Sequence, residues 1–396
     1  REGRSCVRCG RRDAVVKRLV VLGAGRVGRL IAADLANDAG LTVTLVDVAE
    51  DALAASNGSA GIATVRADLS SESEVARVVN DADAVVGAVP GRIGLGVLRA
   101  VVRAGKPIAD ISFTPEDPGA LDAEARRGGV PVVVDIGVAP GISNLLVGRS
   151  VADLDTANSV RILVGGLPDR RVWPWEYRSV FSPTDVIEEY TRPARIRVGG
   201  VEVVREPLSE RELVDLPEVG TVEAFLTDGL RTLLRTIDAP NLIEKTLRWP
   251  GHAEKIQALR ETGFFADDEV DLDGARIAPR ALSEHLLFRS WEPAPEDTEF
   301  TVLRVEVQGR RDGRDVRITW DLLDRTDVVT GATSMSRTTG FPCALVARML
   351  AGGAWAEPGV HPPESLGRDA GVTTAILDGL ASRGVRVRRD ERVVEG

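Results

Sequence analysis

The chain has 396 residues, of which 43% are hydrophobic and 28% charged, and its formal net charge is −10. That length accommodates two or three domains with ordinary cores. The acidic balance argues against a general nucleic-acid binder, which needs a basic face. Because no uncharged apolar run reaches the length of a membrane span, we expect a cytoplasmic protein with no nucleic-acid and no membrane partner.

Residues 1–16 begin with the basic stretch REGRSCVRCGRR and have little apolar surface to bury, which predicts a disordered arm. Within it, Cys6 and Cys9 have the spacing of half a zinc site. A tetrahedral site needs four ligands, and no second Cys pair or His pair follows, so we predict no metal site. With Cys343 as the third cysteine, a disulfide framework is not supported.

Residues 18–48 predict a dinucleotide-binding unit. A buried strand, Leu19–Leu22, runs into GAGRVG, which matches G-x-G-x-x-G, and an apolar helix follows. The glycines permit a tight turn, close approach of a pyrophosphate and close helix packing, while the helix N-terminus attracts the anion. We assign to the cofactor the turn residues Gly23, Gly25, Arg26, Val27 and Gly28.

Asp47, at the end of the second strand Val43–Val46, decides the expected cofactor. It lies 19 residues after Gly28, where a carboxylate accepts hydrogen bonds from the ribose hydroxyls of NAD. The same charge repels the 2′-phosphate of NADP, and the following VAED contains no Arg to receive it. The sequence therefore predicts NAD rather than NADP.

The alternation of strands and helices continues to the strand Val130–Val134. It predicts a doubly wound parallel sheet of about six strands, in a Rossmann domain that spans residues 17–136. Asp68, just beyond a strand, is either an adenine contact or a helix N-cap. Val89 and Pro90 end the fourth strand, where the nicotinamide ribose passes in such sheets.

After Asp135 the pattern changes to β-alternation with hairpins. We predict strands at 160–164 and 175–181, and strands within 195–204 around a Gly199-Gly200 turn. We also predict a hairpin of 299–307 with 315–322, and helices near 228–237, 252–262 and 280–288. The fold class is thus α/β, with an N-terminal Rossmann sheet and a C-terminal α+β domain, residues 137–396, whose sheet is mixed or antiparallel. A helix near 341–351 is expected to pack back on the Rossmann domain.

The stretch VPVVVDIGVAPGISNLL, residues 130–146, joins the two domains. It lacks the acid-tipped strand of a second dinucleotide unit, so we interpret it as the crossover between domains and not as a second cofactor site. Its glycines then allow the backbone to approach the cofactor. Gly137 and Asn144 are accordingly predicted to face the nicotinamide.

Seven segments are distributed over nearly the whole chain from about Lys17: GAGRVG, AVP, DIGVAPGISNLL, FSPTDVIEEYTRPA, TDGLRTLL, EKTLRWPGHAEKI and TGFPCALVARML. Together they resemble the saccharopine dehydrogenase family, and within it the L-lysine 6-dehydrogenase branch. The glycine motif is generic, whereas EEYTRPA, TDGLRTLL and PGHAEK point to the branch. The resemblance implies NAD-dependent oxidation of the ε-amino carbon of L-lysine, with release of ammonia, to a semialdehyde that cyclises to piperideine-6-carboxylate.

Such a reaction needs a proton acceptor near the amine, a cation for the α-carboxylate and a carboxylate for the α-ammonium. His252 opens a helix in the branch-specific motif and has a suitable unperturbed pKa, with a helix cap as the alternative role. Tyr177 either contacts the substrate or packs in the core. Arg231 and Arg248 are candidates for the carboxylate and Asp228 for the ammonium, with ordinary ion pairs as the alternative.

The leading hypothesis is NAD-dependent oxidative deamination of L-lysine by a homodimer. A rival of the same fold is a saccharopine or carboxynorspermidine dehydrogenase or reductase, whose substrate carries more carboxylates and should need more Arg in the cleft. A rival of another class is a catalytically silent protein that senses NAD or acts as a scaffold. That protein would bind the nucleotide without oxidising any amine.

Overall fold

A computed structural model of the chain describes residues 16–56, 60–179, 183–294 and 296–394. Nearly all of the predicted arm, with Cys6 and Cys9, lies outside these residues. Among the helices within them, none is long and apolar enough to cross a bilayer.

The first domain alternates strands and helices. In chain order the elements are β1 (Lys17–Leu22), α1 (Arg26–Ala36), β2 (Leu41–Asp47), α2 (Glu50–Ala54), β3 (Ile62–Arg66), α3 (Glu72–Val79), β4 (Ala84–Gly87), α4 (Gly91–Arg103), β5 (Ile108–Asp110), a 3-10 helix (Pro118–Leu121), α5 (Asp122–Gly128) and β6 (Pro131–Val133). The strands pair in parallel in the order β6-β5-β4-β1-β2-β3. Alternate residues of β1 enter two different apolar clusters, because both faces of the sheet are covered. The predicted doubly wound parallel sheet is confirmed.

The second domain follows the crossover. Its elements are α6 (Ile142–Ala152), β7 (Thr156–Pro168), α7 (Pro183–Thr191), β8 (Ala194–Val198), β9 (Val201–Arg205), β10 (Glu212–Leu216), β11 (Gly220–Leu226), α8 (Leu233–Thr236), β12 (Asn241–Arg248), α9 (His252–Thr262), β13 (Val270–Leu272), β14 (Ala275–Ile277), α10 (Pro279–Trp291), β15 (Glu299–Arg311) and β16 (Arg314–Arg325). The chain ends with α11 (Ser334–Ala351), β17 (Gly359–His361), α12 (Pro363–Gly367), α13 (Ala370–Ser382) and β18 (Val387–Val393).

The sheet of the second domain is mixed, as predicted. Its main path runs β10-β11-β12-β7-β15-β16-β18, and only the β12–β7 pair on that path is parallel among the described strands. The predicted hairpin is β15–β16. It turns at Asp312 and Gly313, whose φ angles are +52° and +74°, and positive φ at both central residues suits the tight turns of hairpins.

Three expectations about elements were wrong. Residues 175–179, the described part of a predicted strand, form turns and irregular backbone, because Glu176 has a left-handed φ of +53°. The helix predicted near 228–237 is reduced to α8, because Arg231 has a φ of +50° that interrupts it. The parallel sheet has seven described strands and not about six, because β17 pairs with β6.

The C-terminal segment returns to the nucleotide domain. Besides the pairing of β17 with β6, helix α11 packs against α1. The contact is close at Gly340, where a Cβ would lie 3.1 to 3.3 Å from the side chains of Leu30, Ile31 and Val27. The helix predicted near 341–351 is α11, which begins earlier, at Ser334.

Asp34 of α1 receives two guanidinium groups from this returning segment. Arg348 of α11 donates from Nη1 to Oδ2 at 2.7 Å, and Arg383, just after α13, donates from Nε to Oδ1 at 2.6 Å. The Asp34 side chain is only 10% exposed, so both hydrogen bonds are shielded from solvent and both are charge-assisted.

We expect Asp34→Ala to lower the free energy of unfolding by about 2 to 3 kcal/mol, because it leaves two partly buried guanidiniums without their carboxylate. Asp378→Ala, in an exposed position of α13, is the control and should change stability by less than about 0.5 kcal/mol. Denaturant unfolding followed by circular dichroism measures both. Equal stability of the two variants would contradict this account of the contact.

Candidate active site

The glycine turn between β1 and α1 combines two crowded positions with one open position. A Cβ on Gly23, whose φ is +107°, would lie 2.2 Å from the carbonyl oxygen of Ala88, and a Cβ on Gly28 would lie 2.0 Å from that of Gly23. In contrast, a Cβ on Gly25 would meet nothing within 4 Å. Gly25 is also the N-cap of α1 and supplies no side-chain cap. The first N–H groups of the helix thus face an open space that suits an anion.

Asp47 ties this turn to the end of β2. Its Oδ2 accepts a hydrogen bond from the Ala24 N–H at 2.7 Å, and its Oδ1 accepts one from the Ala49 N–H at 2.9 Å. Arg66, the partner of Asp47 in the β2–β3 register, pairs instead with Glu50 at 2.8 Å. Sequence reasoning missed this neighbouring cation, because it lies on the next strand and not in the segment after Asp47.

Of the other candidates in the nucleotide domain, Asp68 lies in a local turn, whereas Val89 and Pro90 lie at the domain boundary. Asp68 is exposed, and its Oδ1 accepts hydrogen bonds from the N–H and hydroxyl of Ser70, while Ser71 is the N-cap of α3. The hydroxyl of Ser70 also lowers the pKa of Asp68. Val89 lines a cavity at the domain boundary, and Pro90 is the N-cap residue of α4.

That cavity has a volume of about 250 Å³ and lies where the two domains meet. The nucleotide domain contributes residues of α1 and of the segments after β4 and β5, and the crossover contributes Asp135 and residues 137–140. The rest of the chain contributes residues of β7, α7, β12 and α11 and of the segments that follow α7 and β11. The charged residues that line it are Asp135, Asp185, Glu188, Glu189, Arg192, Asp228, Glu244 and Arg248. A cleft between a nucleotide domain and a second domain is a usual place for a small-molecule site.

Arg248, one of the cavity cations, is held by hydrogen bonds from all three nitrogens. Nη2 donates to Glu189 at 2.8 Å, Nε donates to the hydroxyl of Tyr190 at 3.3 Å, and Nη1 donates to the carbonyl of Leu247 at 3.0 Å. Its guanidinium also lies 4.9 Å from the ring centre of Tyr177. Arg248 therefore lines the cavity with three of its five N–H groups donated to protein acceptors.

Arg192, the other cavity cation, is held less tightly. Its guanidinium lies 3.5 Å from Glu188 and 5.6 Å from the ring centre of Phe113. Its side chain is 26% exposed, compared with 4% for Arg248. Arg192 belongs to the EEYTRPA segment, but sequence reasoning did not single it out.

Glu244 is a buried carboxylate in the cavity wall and is 3% exposed. Its Oε2 accepts hydrogen bonds from the Thr227 hydroxyl at 2.6 Å and from the Gly229 N–H at 3.1 Å. Burial raises its pKa to about 8. The sequence carried a signal for this residue, because positions 244, 246 and 248 alternate along β12 and therefore share one face.

His252 and Tyr177 lie behind the cavity wall and not among its lining residues. The Nε2 of His252 lies 2.9 Å from the hydroxyl of Tyr190, and its Nδ1 lies 2.8 Å from the carbonyl of Trp175. Complete burial, aided by the positive charge of Arg248, lowers the pKa of His252 to about 3. Tyr177 is 1% exposed, and burial raises its pKa well above the usual range. Both side chains are therefore neutral at physiological pH, and their catalytic roles stay predictions.

The remaining candidates of the second domain, Arg231 and Asp228, both form ion pairs. Arg231 donates from Nε and Nη2 to the two oxygens of Asp135, each at 3.2 Å, and from Nη1 to the carbonyl of Thr114 at 2.8 Å. It does not line the cavity, whereas its partner Asp135 does. Asp228 lines the cavity and pairs with Arg195 at 2.9 Å.

Of the two candidates in the crossover segment, only Gly137 lines the cavity. A Cβ on Gly141 would lie 1.9 Å from the carbonyl oxygen of Gly137, so the crossover forms a tight turn here. Asn144 is fully buried in α6 and donates from Nδ2 to Glu364 at 3.2 Å, away from the cavity. Across residues 16–56, 60–179, 183–294 and 296–394, no group of three or more His, Cys, Asp or Glu side chains is arranged to hold a metal ion.

Comparisons with known proteins cover both domains. Residues 19–133 match the model of the saccharopine dehydrogenase NADP binding domain, and residues 137–385 match that of the saccharopine dehydrogenase C-terminal domain. A carboxyaminopropylagmatine dehydrogenase of Synechocystis sp. is 22% identical over 379 residues, which cover 89% of this chain and 93% of that protein. The NADP(+), L-glutamate-forming saccharopine dehydrogenase of Saccharomyces cerevisiae is 26% identical over 286 residues, covering 68% of this chain and 64% of the yeast protein.

Among solved structures, an apo saccharopine dehydrogenase (L-Glu forming) from Saccharomyces cerevisiae has a TM-score of 0.80 at 19% identity. The aligned region covers 95% of the present chain and 100% of the yeast chain. At this level of identity the match establishes the shared fold of the two domains.

We expect Gly25→Ala to weaken the binding of a reduced nicotinamide cofactor at least about tenfold, because the methyl group enters the space in which a pyrophosphate would approach the backbone. The melting temperature should stay unchanged, since the new Cβ meets no protein atom within 4 Å. Gly96→Ala, at an equally open position of α4, is the matched control. Cofactor fluorescence titration and thermal unfolding measure the two effects, and equal affinities of both variants would remove Gly25 from the cofactor site.

Proposed function

The chain belongs to the saccharopine dehydrogenase family, and we propose that it catalyses the nicotinamide-dependent oxidative deamination of the ε-amino group of L-lysine. The overall change converts R–CH₂–NH₃⁺, the oxidised nicotinamide and water into R–CHO, NH₄⁺, the reduced nicotinamide and a proton. The cofactor supplies the hydride acceptor. The glycine turn would hold its pyrophosphate, and Val89 and Gly137 would line the space for the nicotinamide.

The charge of the cavity is the observation that carries this proposal. Six carboxylates and two guanidiniums line it. Arg195, Arg231 and Arg280 pair with three of the carboxylates from outside the cavity, so few cationic donors face a substrate. Saccharopine has more carboxylates than lysine and would need more such donors. L-Lysine has a single carboxylate, so the few cationic donors that face the cavity are sufficient for it.

Each charged end of lysine has a suitable partner. We assign the α-carboxylate to Arg192, because its guanidinium is partly exposed and only loosely paired with Glu188, whereas the nitrogens of Arg248 already donate to protein groups. Asp228, a candidate from the sequence, accepts two hydrogen bonds from Arg195 at Oδ1 and one at Oδ2, so Oδ2 keeps a lone pair that can accept from the α-ammonium. Arg231 then acts at a distance, by holding Asp135 at the edge of the cavity.

The aromatic residues behind the wall would act as positioning residues. Tyr190 links His252 to Arg248, since its hydroxyl lies 2.9 Å from His252 Nε2 and accepts from Arg248 Nε. Tyr177 stacks against the same guanidinium. These contacts fix the position of Arg248 in the cavity wall. We therefore assign to His252 and Tyr177 the role of positioning Arg248, and not a role in proton transfer.

A second candidate substrate is a carboxyaminopropyl derivative of a polyamine or of agmatine. The Synechocystis relative named for such a substrate matches 89% of this chain and is itself covered over 93% of its length. A substrate of this type also has more cationic groups than carboxylates and fits the same lining. It differs from lysine in having a secondary amine as the site of oxidation.

We further propose NAD as the preferred cofactor, because the carboxylate of Asp47 at the glycine turn repels a 2′-phosphate. Arg66 lies beside it in the sheet, but its guanidinium is already used by Glu50 and by the carbonyl of Val48. The family model describes an NADP binding domain, so the preference rests on these local charges. The proposed homodimer and the cytoplasmic location stay expectations from the sequence.

Substrate choice is tested with L-lysine, saccharopine and carboxyaminopropylagmatine, each with NAD and NADP, by the absorbance of the reduced nicotinamide. We expect lysine-dependent reduction, no turnover of saccharopine, and a roughly 10- to 100-fold loss of kcat/KM for lysine in Arg192→Gln, corresponding to a lost charged hydrogen bond. Arg170→Gln, at an exposed position outside the cavity, should behave as the wild type. Binding of the nucleotide without oxidation of any amine would favour a non-catalytic role.

Cofactor choice is tested with Asp47→Asn, which removes the charge while an amide oxygen can still accept from the Ala24 N–H. We expect the ratio of kcat/KM for NAD to that for NADP to fall at least about tenfold, because the repulsion of the 2′-phosphate is removed. Asp51→Asn, an exposed carboxylate of α2, is the control. A wild-type enzyme that uses NADP better than NAD would refute the preference.

A further inference from the structure

Glu244 differs from four other carboxylates that line the cavity in having no cation to neutralise it. Asp135, Glu188, Glu189 and Asp228 each pair with at least one Arg. Within the described part of the chain, Glu244 forms no ion pair, and the groups that donate to it are the hydroxyl of Thr227 and the N–H of Gly229. An ionised carboxylate that is 3% exposed and lacks a cation is costly.

The surroundings of Glu244 hold it in one position. Thr246 Oγ1 lies 2.8 Å from Thr227 Oγ1, which in turn donates to Glu244 Oε2. Gly229 allows the carboxyl group to approach the backbone, since a Cβ there would lie 2.5 Å from its Oε2. Both hydrogen bonds fall on Oε2, so Oε1 is the oxygen that remains to take up a proton.

Other buried acid–base groups do not meet the same conditions. Asp110 and Glu299 are buried carboxyls with raised pKa values, but neither lines the cavity. Glu189 lines it but is bound to Arg248. His252 lies behind the wall and does not reach the cavity. Glu244 is thus the described group that combines contact with the cavity, burial and freedom from a counter-ion.

Resting on the proposed amine oxidation, we propose that Glu244 is the catalytic residue that accepts the proton of the substrate ammonium at Oε1 and later accepts a proton from water. Its carboxylate takes one proton from R–CH₂–NH₃⁺, which leaves a neutral amine whose lone pair can form the C=N bond. As that bond forms, the C–H bond breaks, and its hydrogen and electron pair leave as hydride to the oxidised nicotinamide.

The second half of the reaction returns Glu244 to its starting state. After releasing the first proton to solvent, the carboxylate accepts a proton from the water whose oxygen bonds to the iminium carbon. That proton then passes to the nitrogen. As the C–N bond breaks and the C=O bond forms, the remaining hydroxyl proton passes to the departing ammonia, which leaves as ammonium. The balance over both halves is that of the overall reaction, with one proton released in addition to ammonium.

Burial raises the pKa of Glu244 to about 8, so the group is mostly protonated at neutral pH and becomes a base as the pH rises. For a substrate that binds as the ammonium, kcat/KM should therefore rise with pH up to about 8. It should fall again near the pKa of the amine, which is about 10.4 for an unperturbed lysine amine. An ammonium beside Glu244 favours the carboxylate, so binding of the amine should lower its pKa.

The deciding variant is Glu244→Gln, whose amide oxygen can still accept from Thr227 and Gly229 but cannot take up a proton. We expect kcat/KM to fall by about 10²- to 10⁴-fold, and the acidic limb of its pH profile to disappear. Glu299→Gln removes a buried carboxyl whose pKa burial raises to about 7 outside the cavity, and it should retain both limbs and the wild-type rate within about twofold. An E244Q enzyme that keeps the acidic limb, or whose change is confined to KM, overturns the proposal.

A second measurement separates the role of Glu244 from the identity of the substrate. The infrared band of protonated carboxyl in the wild type, obtained by subtracting the E244Q spectrum, should disappear between about pH 7 and pH 9, and L-lysine should shift this titration to lower pH. If the titration shifts but lysine is not oxidised, the substrate assignment fails and the role of Glu244 is supported. If no such carboxyl titrates, or if lysine is oxidised by E244Q with an unchanged pH profile, the inference about Glu244 is overturned.

Discussion

The ion pair between Arg231 and Asp135 holds the two domains together at the cavity. Both residues have left-handed backbone conformations, with φ of +50° and +54°, and both of their charged groups are largely removed from solvent. Arg231 also reaches the carbonyl of Thr114 and stacks at 4.5 Å on Phe113, so one side chain contacts the crossover and the nucleotide domain. The cavity lies beside this contact, because Asp135 and Phe113 both line it.

Burial determines what each polar group around the cavity can do. Where a cation is close, as for Glu189 beside Arg248, charge pairing offsets part of the loss of solvation. Where none is close, as for Glu244, the acid is favoured over the carboxylate. The positive charge of Arg248 acts in the same sense as burial on His252, so the residue with the most suitable unperturbed pKa becomes neutral. Proton transfer is therefore assigned to a carboxyl, and His252 supports the wall.

The parts of the site that could be predicted are those whose residues are neighbours in the sequence. The glycine turn, the start of α1 and Asp47 lie in one short segment, and the spacing of a βαβ unit requires them to converge. Glu244 lies on the alternating face of β12, a strand that was not predicted, and alternation alone does not tell which face meets the cavity. Arg66 was missed because its partner Glu50 lies on another element. Arg192 was missed although its partner Glu188 is only four residues away, because the sequence does not show that this pair faces the cavity.

The sequence by itself determined the parallel nucleotide sheet, the mixed character of the second sheet and the crossover between them, because each follows from local periodicity and turn chemistry. Only the tertiary structure decided the protonation of the buried groups and the membership of the cavity wall. Those depend on which distant segments pack together: the segment before α7, together with α10, covers His252, and β17 extends a sheet whose other strands end more than two hundred residues earlier. The solvation and the ion pairs of a buried group depend on its distance from residues that are remote in the sequence, and local sequence patterns do not give that distance.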